Sequence, residues 1–68
     1  MTVEERTNLK AYLVHKMFTY DDDLQQARAA FRQQETAWNA FRLSIAAERV
    51  QLFETVVANL YDLLHLWD

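Results

Sequence analysis

Few side chains in this sequence could do chemistry, and their spacing counts against most of them. Asp62 and His65 stand three residues apart, like one half of a carboxylate–histidine site in a helical bundle. Such a site needs a second Glu-x-x-His segment and further inward glutamates. The sequence has no second copy, so the pair is expected on a solvated helix face. Asp21-Asp22-Asp23 lacks the spaced oxygen ligands and the glycine of a calcium loop. It reads instead as helix capping. Ser44 and the threonines have no histidine beside them in sequence to serve as a base.

Composition removes more chemistry. Glycine, proline and cysteine are all absent. Without glycine there is no phosphate-cradling loop. Without cysteine there is neither a disulfide nor a thiolate zinc site. The two histidines, His15 and His65, are too few for a histidine-rich metal site. The expectation is a protein that is not an enzyme and takes no cofactor or metal.

Arg28 and Arg32 share a helix face at i, i+4, which invites a nucleic-acid reading. Arg42 does not extend that line, and the formal net charge is −3. Phosphate binding wants a basic surface, so direct nucleic-acid binding is the second hypothesis rather than the first. No apolar run reaches the roughly 18–20 residues of a membrane span. The longest candidate, Leu52 to Trp67, is interrupted by Glu54, Asn59, Asp62 and His65. An amphipathic membrane-surface helix is the third hypothesis, and the acids around that face disfavour it. The opening Met1-Thr2-Val3-Glu4-Glu5 has neither a basic start nor an apolar run, so cytoplasmic residence is expected.

The elements follow from the same composition. Hairpin turns draw on Gly, Asn and Asp, and a chain lacking glycine and proline argues against β structure. Hydrophobic residues reach 51%, too many for a disordered chain. The fold class is therefore all-α. Sixty-eight residues make one helical domain, residues 1–68.

Thr2 and Glu5 fit a capping box, which starts a first helix at Val3. The aspartate cluster predicts a turn near residues 19–22, because carboxylates favour helix N-termini and disfavour C-termini. Beyond it, Leu24, Ala27, Phe31, Trp38, Ile45, Val56, Leu60, Leu63 and Trp67 keep one helical phase. Arg42 and Arg49 interrupt this stripe and Glu35 sits near its edge. Their stems are expected to pack while their heads reach water or an ion-pair partner. The expected architecture is a helical hairpin with a short first helix and a long second helix, dimerising into a bundle. The alternative is a three-helix bundle broken near residues 44–48.

In the hairpin reading, helix 1 spans about 26 Å and helix 2 about 69 Å. The second half of helix 2 is then uncovered, and it carries Leu52, Phe53, Val56, Val57, Leu60, Leu63, Leu64 and Trp67. Each is worth about 1.5–3 kcal/mol when buried, so these eight are expected to form an interface. Residues 24–50 carry four arginines against two glutamates, while residues 51–68 carry three acids and no Lys or Arg. Antiparallel pairing of two such helices sets opposite charges together. The functional expectation is a small protein–protein interaction module, partnered by itself as a homodimer or by a larger protein.

Overall fold

A computed structural model describes residues 2–65. These form two helices, α1 (Val3–Gln33) and α2 (Ala37–Leu64), joined by Gln34, Glu35 and Thr36. The fold is an all-α hairpin. Its ends meet where Arg6 Nη2 donates to the His65 carbonyl at 3.2 Å. Farther along, Tyr20 packs edge-on against Phe53, with ring centroids 5.1 Å apart, and Arg49 reaches Asp23 at 3.9 Å. At the turn, Asn39 meets Ala30. The pairing steps up one helix and down the other, so the two run antiparallel over their whole length. The long dimension is 48 Å, as about 1.5 Å per residue requires of a 31-residue helix.

Thr2 is the N-cap of α1, and its Oγ1 accepts from the Glu5 amide at 3.1 Å. The first helix, however, is not short. It has 31 residues and runs straight through Asp21-Asp22-Asp23. The turn expected at residues 19–22 lies instead at 34–36. Two conditions let the aspartates remain helical. Aspartate costs at most about 0.7 kcal/mol relative to alanine inside a helix. Asp23 is also paired with Arg49, and Asp22 accepts from Gln26 Nε2 at 2.9 Å. Nor is the chain broken near residues 44–48, which lie inside α2. The three-helix alternative is not what the chain adopts.

The turn is built without glycine. Gln34 (φ −140°, ψ 103°) and Thr36 (φ −99°, ψ 160°) are both extended, a conformation open to any residue. Thr36 Oγ1 accepts from the Asn39 amide at 3.1 Å, the N-cap bond of α2. Asn39 Nδ2 donates to the Gln34 carbonyl at 2.9 Å and to the Ala30 carbonyl at 3.4 Å. The Asn39 side chain thus ties the start of α2 to the C-terminal end of α1, where the Gln34 amide also donates to the Ala30 carbonyl and the Thr36 amide to the Gln34 carbonyl.

The helices meet along a seam of alternating three- and four-residue steps. On α2 it reads Leu43, Ala46, Val50, Phe53, Val57, Leu60, Leu64, all buried or half-buried. That is a heptad pattern with apolar a and d positions. On α1 the buried residues Leu13, Leu24 and Ala27 face it. Ala27 and Ala46 are 1% and 3% exposed, the two most enclosed side chains among the described residues, and share a cluster with Leu24. Alanine leaves no bulk between the backbones and so lets the helices approach closely.

Candidate functional site

The residues expected to form an interface divide between two faces of α2. Phe53, Val57, Leu60 and Leu64 are half-buried in the seam with α1. Because α1 is long, it covers this half of α2, and these four belong to the hairpin's own core. Leu52, Val56 and Leu63 are exposed. Trp67 lies outside the described residues.

The exposed three are part of a longer surface. Trp38, Ile45, Leu52, Val56 and Leu63 recur along α2 at spacings of seven, seven, four and seven. At about 100° per residue they fall on one line. Ile45 and the buried Ala46 are neighbours, so this line stands about 100° around the helix from the seam. It is open to solvent from end to end: Trp38 is 72% exposed, Leu52 64% and Leu63 76%. Phe41 lies beside it, with its ring centroid 5.9 Å from that of Trp38. The helical phase of the sequence sets Trp38, Ile45, Val56 and Leu63 in one apolar stripe. Phase alone carries no signal that Trp38, Phe41 and Ile45 are uncovered; their exposure follows from where α1 lies.

Near its turn-ward end the stripe borders a recess of about 230 Å³, lined by Trp38, Phe41, Arg42, Ile45, Ala46 and Arg49, with Asp23 behind. Arg49 is held there by Asp23 and lies over the Tyr20 ring at 6.0 Å. Its head is thus drawn toward α1 while its stem remains beside the stripe. A second recess, about 320 Å³, opens on the opposite flank between Val14, Met17, Phe18 and Phe53, with Asp21 and Glu54 at its wall. Both recesses are shallow and apolar, and neither brings a nucleophile to a base.

His65 ends α2 in the left-handed region (φ 55°, ψ 49°), its amide bonded to the Tyr61 carbonyl. Among the described residues no three His, Asp or Glu side chains gather as a metal-binding group. Among the same residues, no helix is long and apolar enough to cross a membrane. Comparison with protein-family models, with curated proteins and with solved structures found no match to this chain.

Proposed function

We propose that this chain is a protein–protein interaction module that works as a homodimer through the exposed stripe of α2. The observation that carries this reading is the size and order of that stripe. Scattered apolar residues on a surface need no explanation. Five on one line, with Phe41 beside them, form the contiguous patch that marks an interaction site. Burying each would contribute about 1.5–3 kcal/mol, comparable together with the whole stability of a small domain.

Helix-in-groove packing is the physical mode, with anchors spaced along one helix face. The hairpin's shallow, apolar recesses suit side-chain insertion better than catalysis. A net charge of −3 supports this over phosphate binding. Sedimentation equilibrium at micromolar concentration tests it. The expected mass is twice the chain's 8.1 kDa. Leu52→Gln combined with Val56→Gln should halve that mass while leaving the helical signal intact. A parent protein that sediments as a monomer refutes the proposal.

A further inference from the structure

We infer that the α2 stripe pairs with the same stripe of a second copy, antiparallel, about a two-fold axis passing between Val50 and Gln51. This rests on the reading of the chain as a self-associating module and adds its geometry. The first observation is a symmetry in the spacing. Trp38, Ile45, Arg49, Leu52, Val56 and Leu63 follow at intervals of seven, four, three, four and seven residues. The series reads the same in both directions. A two-fold axis reverses one of two identical helices, so a surface serving both copies must be self-complementary under that reversal. Here it is. Trp38 meets the partner's Leu63, Ile45 meets the partner's Val56, and Arg49 meets the partner's Leu52. A helix made to receive an unrelated protein has no need of such a series.

Arg49 fits this scheme because its charge is already engaged. Asp23 at 3.9 Å and the Tyr20 ring at 6.0 Å hold the guanidinium toward α1. Its aliphatic stem is left to lie along the partner's leucine.

The second observation is the recess on the same face. Arg42, Ile45, Ala46 and Arg49 line it, and they stand at i, i+3, i+4 and i+7. Four residues so spaced are the hole that receives one knob in coiled-coil packing. In the antiparallel register the knob is the partner's Val56, which is exposed in the single hairpin.

The exposed area agrees. Six exposed side chains offering on the order of 100 Å² each give roughly 600 Å² per copy, near the ~800 Å² per partner of a stable interface once flanking residues are added.

The absence of native cysteine permits a clean test. Ile45→Cys and Val56→Cys are made as separate proteins, checked for helicity and mass, and oxidised alone and after mixing by unfolding and refolding together. The inference expects a mixed disulfide between the two variants and little cross-linking of either alone. Each variant cross-linking with itself, with no preference for the mixture, would mean parallel pairing and overturn it. A doubled sedimentation mass without the mixed product would place the dimer on another face; the register would fall and self-association would stand. A mass of one chain would remove both. Spin labels on Trp38→Cys give a second readout that does not need disulfide geometry. The antiparallel dimer expects a separation on the order of 40 Å, and a parallel one on the order of 10 Å.

Discussion

Asn39 spans the turn from α2 back to Gln34, donating through Nδ2 to its carbonyl at 2.9 Å. The Asn39 amide meanwhile donates to Thr36 Oγ1. The same residue thus closes α1 and opens α2, and the turn's position depends on it more than on any residue with special backbone freedom. Thr36→Ala removes the cap acceptor and should cost about 0.5–2 kcal/mol. Asn39→Ala removes the bonds to α1 and should cost a similar amount. Urea denaturation of both, with midpoint and slope compared, checks the pair. Stability equal to the parent in both variants would mean that the turn is held by other contacts.

The aspartate cluster gives an opposite expectation. Asp21 is exposed within α1 and contributes no cap. Alanine is the better helix former by up to about 0.7 kcal/mol, so Asp21→Ala should leave stability unchanged or raise it slightly. Were the residue at a helix N-terminus, the same substitution would cost about 0.5–2 kcal/mol. Thermal melting of the single variant separates the two.

These two sites explain how the sequence misleads about the turn. Three aspartates resemble a helix start more than Gln34-Glu35-Thr36 does, because carboxylates are familiar caps. What decides the matter is tertiary. A 31-residue helix against a 28-residue one buries the seam along both, whereas a break at residue 20 leaves half of α2 without cover. The helical class and the Thr2 cap were legible from composition and spacing, whereas continuity through residues 44–48 was one of two readings the sequence left open. The stripe was legible too, but its covering was not. Leu24 and Ala27 lie in the seam of α1 and are buried, while Trp38 and Ile45 carry the same phase onto the exposed face of α2. A three-residue turn replaces nearly one turn of helix in the count, so the phase runs on across a reversal of the chain. On α2 two apolar lines stand about a quarter-turn apart, and periodicity does not say which one α1 takes.

Continuity of α2 can be probed at Ala47, which is exposed and distant from both caps. Ala47→Pro removes a backbone bond and clashes with the preceding turn, at about 3 kcal/mol or more. Ala47→Gly should cost about 1 kcal/mol. Because the side chain lies off the seam, these losses report the backbone rather than packing. A proline variant as stable as the parent would contradict a continuous helix through residues 44–48.

Ala46 tests the seam itself. It is 3% exposed and packs with Leu24 and Ala27. Ala46→Leu adds apolar surface, and in a loosely packed molecule that would be neutral or favourable. In a close-packed one, extra methylenes force side chains off their rotamers and typically cost about 1–3 kcal/mol. The expected result is a loss within that range, with α1 and α2 pushed apart near Ala27. Ala47→Leu, one residue away on an exposed position, supplies the control. It adds the same atoms to the same helix and should change stability by no more than about 0.5 kcal/mol. If both leucine variants melted alike, the close approach at Ala27 and Ala46 would not be what holds the hairpin together. If Ala46→Leu alone is destabilised, the effect belongs to the seam, because helix propensity is common to the two.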